Sequence, residues 1–212
     1  MIITLIGMSG SGKTHLSYRL YELGFERISC DDRIEEKLRS DLLKGGYRGI
    51  NGVARWMGQP YEADYPVRQA AYLSAEREVV REILNGLTSG KRSKVVIDTT
   101  GSVIHIGEDL CRALQASSTI VYLETSLPDL EFLYQEYAKN PKPVVWGEAF
   151  HRQADETNMA ALARCYKEFF HYRRSLYEKY AAVTIPAPLF RQREPNLTAI
   201  LELVEAQVSG RC

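Results

Sequence analysis

Gly7-Met8-Ser9-Gly10-Ser11-Gly12-Lys13-Thr14, close to the start of the chain, is the stretch that decides the fold. Its spacing, G-x-x-x-x-G-K-T, is typical of a loop that binds the phosphates of a nucleoside triphosphate. Glycines let successive backbone N–H groups point at one anion, and a following helix adds its own unpaired N–H groups. The motif predicts that Lys13 reaches the β- and γ-phosphates and that the Thr14 hydroxyl ligates Mg²⁺. The predicted nucleotide contacts are Gly7, Ser9, Gly10, Ser11, Gly12, Lys13 and Thr14.

The flanking residues support this interpretation. Residues 2–6 form a short apolar run that predicts a strand, and residues 15–23 have leucines at helical spacing. Gly24 follows where a helix often ends. Strand, loop and helix occur in the order that the motif requires, although an ordinary glycine turn between a strand and a helix is the alternative.

Composition limits the class of protein. Lysine plus arginine and aspartate plus glutamate number 27 each, so the formal net charge is zero, which argues against nucleic acid or an anionic membrane as the main partner. No apolar run is long enough to span a bilayer, and the chain begins with a predicted strand rather than a leader. The four scattered cysteines fit reduced thiols and no metal motif. We therefore expect a cytoplasmic monomer or weak homodimer.

Two aspartates follow the second predicted strand, residues 25–29. Asp31 or Asp32 can cap the next helix. In a phosphate-loop protein, however, the carboxyl end of a neighbouring strand faces the nucleotide crevice. A carboxylate there can orient Mg²⁺ or take a proton from an acceptor hydroxyl, so one of the two is a candidate functional residue.

A further strand is predicted for residues 94–98, and it ends in Asp98. An apolar strand that ends in aspartate is the usual partner of a phosphate loop, because its carboxylate reaches the metal or a metal-bound water. We therefore predict Thr14 and Asp98 as the metal-binding residues. The small polar turn at residues 99–102 then lets a ligand approach the backbone closely.

Two irregular stretches interrupt the alternation of strands and helices. Residues 44–66 are rich in glycine and aromatic residues, with a short helix predicted at 53–57, and they predict an acceptor-side insert before a long helix that starts at Pro66. Residues 138–158 contain prolines, lysines and a tryptophan, and they predict a flap that closes over bound nucleotide. The candidate flap cations are Lys139, Lys142 and Arg152, with solvated surface positions as the alternative for each.

Together these elements predict one domain, residues 1–212, of the α/β class. We expect a P-loop NTPase-type three-layer α/β/α sandwich with a central, mainly parallel five-stranded sheet, the insert and the flap. The remaining elements are predicted as helices near 106–115, 127–137, 159–180 and 197–208 and as strands at 119–123 and 182–185.

The order of these motifs resembles the shikimate kinase family of small P-loop kinases over most of the chain. Asp31 to Glu35 is similar to the D-x-x-I-E signature of that family, which implies that Asp31 contacts the reacting hydroxyl. Residues 99–102 resemble the T-G-G-G turn, which implies that Gly101 lies against the acceptor. Arg173 to Glu178 resembles R-x-x-L-Y-E, which implies that Arg173 binds an acceptor carboxylate.

The chain also departs from the pattern of this family. In the F-R-x-x-E segment, which corresponds to residues 72–76, Leu73 takes the place of an arginine that also binds the shikimate carboxylate. Ser29 replaces an acidic residue, Gly101 is the one glycine left of the triplet, and the flap lacks the usual arginine. The identity of the acceptor is therefore open.

The resemblance implies an ATP- and Mg²⁺-dependent kinase that transfers the γ-phosphoryl group to a hydroxyl of a small, anionic metabolite. Lys13 and Asp31 are the predicted catalytic residues, and Asp31, Gly101 and Arg173 are the predicted acceptor contacts. Two alternatives stay open: a nucleoside or nucleotide kinase, and a non-catalytic ATP-binding or regulatory protein that has lost the acceptor site. A GTPase is disfavoured because no N-K-x-D motif occurs.

Overall fold

A five-stranded sheet forms the centre of the computed structural model, which describes residues 1–88, 93–192 and 195–209. The strand order is β2-β3-β1-β4-β5, and every neighbouring pair is parallel. This confirms the predicted α/β fold with its central sheet. The strands are β1 (Ile2–Ile6), β2 (Glu26–Ser29), β3 (Val95–Asp98), β4 (Thr119–Leu123) and β5 (Val183–Ile185).

Helices cover both faces of the sheet, which explains why its strands are apolar on both sides. Alternate residues of β3 enter different cores: Val95 and Ile97 pack in one cluster and Val96 in the other. The helices are α1 (Lys13–Glu22), α2 (Cys30–Lys37), α3 (Arg39–Lys44), α4 (Gly49–Met57), α5 (Tyr65–Thr88), a 3₁₀ turn (Val103–His105), α6 (Glu108–Ser117), α7 (Leu127–Lys139), α8 (Asn158–Tyr180), α9 (Ala187–Phe190) and α10 (Leu197–Ser209).

The carboxyl ends of three parallel strands meet at one edge of the sheet. Leu5 on β1 and Ser29 on β2 are both register partners of Asp98 on β3. The phosphate loop, the start of α2 and the turn after β3 therefore begin side by side, as expected for ligand sites in open parallel sheets.

The helix after β2 is capped by a serine and is short. Its N-cap is Ser29, whose hydroxyl accepts a hydrogen bond from the Asp32 N–H at 3.3 Å. The alternative that Asp31 or Asp32 caps this helix is therefore wrong, and both lie in its first turn, where their negative charge interacts favourably with the helix dipole. At Leu38 the backbone leaves helical angles, with ψ at 1°, and α3 follows as a separate helix.

The insert at residues 44–66 contains more helix than predicted. Helix α4 begins four residues earlier than the expected start at 53, and it buries Val53, Trp56 and Met57 in the larger core. The Gly49 N–H donates a hydrogen bond to Glu35 Oε1 at 2.6 Å. These contacts hold the insert on α2 and α5.

The flap contains no helix or strand between residues 140 and 157, and yet its middle is buried. Val144, Val145 and Trp146 are each at most 6% exposed. The Tyr65 hydroxyl is 2.7 Å from the Val144 carbonyl oxygen and accepts a hydrogen bond from the Trp146 N–H at 2.8 Å. The flap therefore lies against α5 in this structure.

The search for membrane-spanning segments gave no candidate among the described residues, because none of these helices is both long and apolar enough.

We expect Tyr65→Phe to loosen the flap, because the buried Val144 carbonyl and Trp146 N–H would lose their shared hydroxyl partner. The free energy of unfolding should fall by about 1–3 kcal/mol, and amide exchange at Trp146 should speed up. Urea unfolding and hydrogen exchange measure the two effects, with the exposed Tyr21→Phe as control. Unchanged exchange at Trp146 would contradict this role of Tyr65.

Candidate functional site

The phosphate loop has the conformation that anion binding requires. Gly10 and Gly12 have φ angles of 79° and 104°, values that side-chain-bearing residues rarely adopt. Helix α1 begins at Lys13, directly after Gly12, so its first N–H groups and its positive dipole end face the loop. The predicted strand-loop-helix unit is therefore present.

Two polar side chains of this loop are placed so that they can bind phosphate. The Ser11 hydroxyl oxygen is buried and has no hydrogen-bond partner among the described residues. Lys13 Nζ donates to the carbonyl oxygens of Gly7 and Met8, both at 2.9 Å. A phosphate oxygen would give the Ser11 hydroxyl the partner that it lacks and would bind the Lys13 ammonium more strongly than neutral carbonyls do, so the loop fits a nucleoside triphosphate.

A cavity of about 410 Å³ opens beside the loop, and we call it the phosphate-loop cavity. It brings together seven of the site residues predicted from sequence: Ser9, Gly10, Gly12, Lys13, Thr14, Asp31 and Gly101. Its other polar or charged lining residues come from α1, β2, α2, the turn after β3 and the flap: Tyr18, Arg27, Ser29, Asp32, Thr99, Thr100 and Lys142.

Asp31 is partly buried at the start of α2. Burial raises the pKa of its carboxyl to about 6, the nearby Asp98 carboxylate adds to the rise, and the Lys13 ammonium opposes it. A carboxyl group with a pKa near neutrality can accept and release a proton under physiological conditions. Asp31 thus lies with Lys13 in the phosphate-loop cavity, and its role as a general base stays a prediction.

Asp98 is buried behind the cavity and paired with a cation that the sequence analysis missed. Its Oδ2 accepts hydrogen bonds from Arg27 Nη2 at 2.6 Å and from the Ser17 hydroxyl at 3.0 Å. Arg27 Nε also donates to the Ser17 hydroxyl at 2.7 Å, and the guanidinium lies 4.2 Å from the centre of the Tyr18 ring. The alternation of side chains along a strand could have indicated this pairing. Phe25 is buried on the face of the sheet that packs on α1, and Arg27, two residues later, lies on the same face.

The residues predicted to hold Mg²⁺ are Thr14 and Asp98. Among the described residues no three histidine, cysteine, aspartate or glutamate side chains group together as a metal site. Mg²⁺ in phosphoryl-transfer sites needs few protein ligands, since phosphate oxygens and waters supply the rest. Thr14 lines the cavity. Ser17 and Arg27 both donate to the same oxygen of Asp98, Oδ2, so its other oxygen can bind a metal-bound water. Thr14 and Asp98 therefore fit a metal held partly through water. Metal binding by these residues stays a prediction.

Glu76 on α5 is a second buried acid that the sequence analysis did not assign to the site. Its side chain is fully buried and accepts hydrogen bonds from the hydroxyls of Thr100 and Ser102, the latter at 2.7 Å. Burial raises the pKa of this carboxyl to about 7, although both hydroxyls oppose the shift. The sequence could have indicated this residue, because Glu76 lies on the same buried face of α5 as Tyr72, Ala75 and Val79, and a buried acid needs polar partners.

Gly101 is pressed against the phosphate loop, which leaves no room for a side chain. A Cβ atom there would lie 3.0 Å from the Ser9 nitrogen and 3.1 Å from Arg173 Nη1. Its carbonyl oxygen accepts hydrogen bonds from Arg173 Nη1 at 2.7 Å and from the Tyr177 hydroxyl at 2.6 Å. The turn after β3 is thus held in close contact with the phosphate loop, and the predicted approach of a ligand to Gly101 stays a prediction.

Arg173 lies beside the loop, but backbone carbonyls occupy its guanidinium. Besides Gly101, it donates from Nη2 to the Val145 carbonyl oxygen at 2.8 Å, and its buried Nε has no partner among the described residues. The side chain is 1% exposed and lies 4.2 Å from the centre of the Phe169 ring. Its predicted contact with an acceptor carboxylate remains a prediction.

The flap cations separate into different surroundings. Lys142 lines the phosphate-loop cavity and donates to Asn51 Oδ1 at 2.7 Å. Lys139 lines a different cavity, and Arg152 donates to Asn158 Oδ1 at 3.3 Å. Leu73, the position of the expected arginine, is partly buried and packs on the core.

The three cysteines within the described residues, Cys30, Cys111 and Cys165, are free and buried. Cys212 lies outside the described residues.

We expect Glu76→Gln to change how stability depends on pH. Because the folded-state pKa is raised, protonated Glu76 stabilises the fold below pH 4.5, and this contribution is lost as pH rises through about 7. The glutamine amide keeps hydrogen-bonding capacity without a charge, so above neutrality the variant should be more stable than the wild type by on the order of 2–3 kcal/mol. Urea unfolding across pH measures this difference.

The exposed Glu78→Gln, two positions along the same helix, controls for loss of a surface charge. If wild type and Glu76→Gln show parallel pH profiles, the pKa of Glu76 is not raised.

The comparisons with known proteins agree with this geometry. A family profile described as "AAA domain" matches residues 2–131, more than half of the chain. The comparison with curated proteins gave no match. Among solved structures, shikimate kinase from Acinetobacter baumannii in complex with shikimate is 24% identical with a TM-score of 0.57, covering 87% of this chain and 82% of that chain.

Two further shikimate kinases are each 18% identical to the chain. The one from Bacteroides thetaiotaomicron has a TM-score of 0.57 and covers 99% of this chain and 94% of that chain. The one from Aquifex aeolicus has a TM-score of 0.53 and covers 99% and 95%. Likeness at these identities speaks for a shared fold, and function must be argued from the site. The chain therefore belongs to the AAA domain family, and it has the fold of shikimate kinases, the family that its motifs resemble.

Proposed function

We propose that this protein is an ATP-dependent kinase that transfers the γ-phosphoryl group to a hydroxyl of a small, anionic metabolite. The observation that carries the proposal is that Lys13, Thr14 and Asp31 line one cavity with the turn after β3. Phosphate-binding groups, a candidate metal ligand and a candidate base thus surround a space that both substrates can enter. The shikimate kinase fold supports the same class of reaction.

The proposed reaction needs positioning and charge stabilisation more than covalent chemistry. ATP supplies the phosphoryl group, and Mg²⁺ supplies positive charge on its phosphates. An oxygen–phosphorus bond forms to the acceptor while the bond between the γ-phosphorus and the β,γ-bridging oxygen breaks, and ADP leaves. The hydroxyl proton passes to the Asp31 carboxylate and then to solvent.

The chain's own residues have distinct roles in this scheme. The loop N–H groups and Lys13 hold the β- and γ-phosphates, and Lys13 exchanges its two carbonyl partners for phosphate oxygens. Thr14 and Asp98 hold the metal. Lys142 brings a flap cation to the transferred group.

The charges of the site bear on the acceptor. Leu73 stands where an arginine was expected and supplies no positive charge. The residue of the insert that lines the phosphate-loop cavity is Ile50, which is also uncharged. The candidate cations for an anionic acceptor are therefore Arg173 and Lys142. Shikimate is one compound to test rather than the assigned substrate. The cytoplasmic location and the monomeric or weakly dimeric state stay predictions.

The alternatives stated from sequence make different demands. A nucleotide kinase needs several flap arginines for a second set of phosphates, whereas Arg152 bonds to Asn158 and does not line the phosphate-loop cavity. A non-catalytic ATP-binding protein would bind ATP and phosphorylate no metabolite, and the activity measurements below separate it from a kinase.

We expect Lys13→Ala to abolish Mg-ATP turnover, measured as ADP release with and without shikimate, while circular dichroism shows a folded protein. Loss of the ammonium removes charge stabilisation of the transferred group, worth a factor of about 10² or more. The control is Lys44→Ala, an exposed lysine on α3. Turnover that survives in Lys13→Ala would refute the kinase assignment.

We expect Asp31→Asn to lower kcat by about 10²–10⁴, because the amide cannot accept the acceptor proton. The KM for ATP should stay within about threefold of wild type. In the wild type, kcat/KM should rise with pH and level off above the Asp31 pKa of about 6, and the variant should lose this step. Steady-state kinetics across pH tests the expectation, and equal losses in turnover and ATP binding would make Asp31 a structural residue.

A further inference from the structure

A second cavity, of about 260 Å³, adjoins the phosphate-loop cavity, and we call it the aromatic cavity. It lies between α7, the flap and α8. Ser9, Gly10 and Lys142 line both cavities. A single ligand can therefore reach from one into the other across the first half of the phosphate loop.

The walls of the aromatic cavity are rigid rings. Tyr137, Tyr166 and Phe169 are each at most 7% exposed and belong to one cluster of stacked aromatic residues. Tyr137 and Tyr166 stack with their ring centres 5.8 Å apart, and Trp146 of the flap stacks on Phe169 at 4.6 Å. Rings fixed in this way form a preformed apolar surface, which lowers the entropic cost of binding a flat group.

Phe132 stands at the rim of this cavity and is 60% exposed. Within the part of the chain that the structure describes, no other aromatic ring pairs with it. An exposed phenylalanine beside an apolar cavity offers a face for stacking, since aromatic pairs gain energy beyond their buried area.

Two cations complete the lining. Arg173 is buried, its Nε lacks a partner among the described residues, and Lys142 lies at the junction of the two cavities. The acid in the lining is Glu136, which is exposed on α7. The buried part of the cavity is therefore positive as well as aromatic.

We propose that the phosphoryl acceptor is an aryl alcohol with an anionic substituent, a deepening that rests on the proposed kinase function. Its ring occupies the aromatic cavity against Phe132 and Phe169. Its anionic group faces Arg173 and Lys142. Its hydroxyl reaches past Ser9 and Gly10 to Asp31 in the phosphate-loop cavity.

The nucleotide base is the competing occupant, and the lining argues against it. The aromatic cavity touches Met8, Ser9 and Gly10, in the first half of the loop, and neither Lys13 nor Thr14 lines it. The β-phosphate belongs at Lys13 and at the start of α1, so the base extends away from that end of the loop.

The test compares two probes that differ in aromaticity: para-hydroxymethylbenzoate and its cyclohexane analogue, each with one hydroxyl and one carboxylate. Ligand-observed NMR measures binding of each probe, and calorimetry measures ATP binding. The proteins are wild type, Phe132→Ala and the control Tyr21→Ala, which removes a ring of similar exposure, 59%, from α1. ADP release with each probe is measured in parallel.

We expect the aromatic probe to bind more tightly than its analogue, and Phe132→Ala to weaken the aromatic probe by about fivefold to tenfold. ATP affinity and the Tyr21→Ala protein should match wild type. Phe132-dependent binding without ADP release would support the cavity assignment and remove the proposed kinase function. Loss of ATP affinity in Phe132→Ala, or equal binding of both probes that is insensitive to Phe132, would overturn the inference.

Discussion

The buried lysine of the phosphate loop is the constraint on which the rest of the site depends. Burial lowers the pKa of Lys13, and the carboxylates of Asp98, Asp31 and Glu76 oppose that shift. These acids come from three elements, β3, α2 and α5. The Lys13 ammonium donates to two carbonyl oxygens of its own loop, and the negative charges of these acids add to that stabilisation. The charge of the phosphate loop thus interacts with each of those elements.

The same proximity acts on the acids in return. Asp31 and Glu76 both have a raised pKa because burial disfavours their charged forms more than Lys13 and the hydroxyl donors favour them. Asp98 forms an ion pair with Arg27, and Ser17 also donates a hydrogen bond to its carboxylate. The site thus holds one acid that is paired with a cation and two whose protonation responds to pH near neutrality. This division matches a metal-binding role for the first and a proton-transfer role for Asp31.

Local sequence was sufficient for the parts of the fold that depend on local rules. The phosphate loop, the parallel strands and the position of Asp31 at the end of β2 all follow from motif spacing and strand patterns. The Ser29 cap was missed because two aspartates next to it are equally good caps by composition. The pairing of Arg27 with Asp98 joins residues 71 positions apart, and Glu76 meets Thr100 across helix α5 and the turn after β3. Such contacts depend on which helices and strands pack together, and residue propensities carry no information about that packing.

The side chain of Arg173, on α8, connects distant parts of the site. Arg173 donates to Gly101 in the turn after β3 and to Val145 in the flap, and its guanidinium lies over Phe169 in the wall of the aromatic cavity. A carboxylate that binds this guanidinium competes with neutral carbonyls for the same N–H groups, and charge-assisted hydrogen bonds are the stronger ones. Any anion that Arg173 accepts therefore acts at once on the flap and on the turn that presses against the phosphate loop. The buried guanidinium has no carboxylate hydrogen-bond partner among the described residues, and this is one observation behind the proposal of an anionic acceptor.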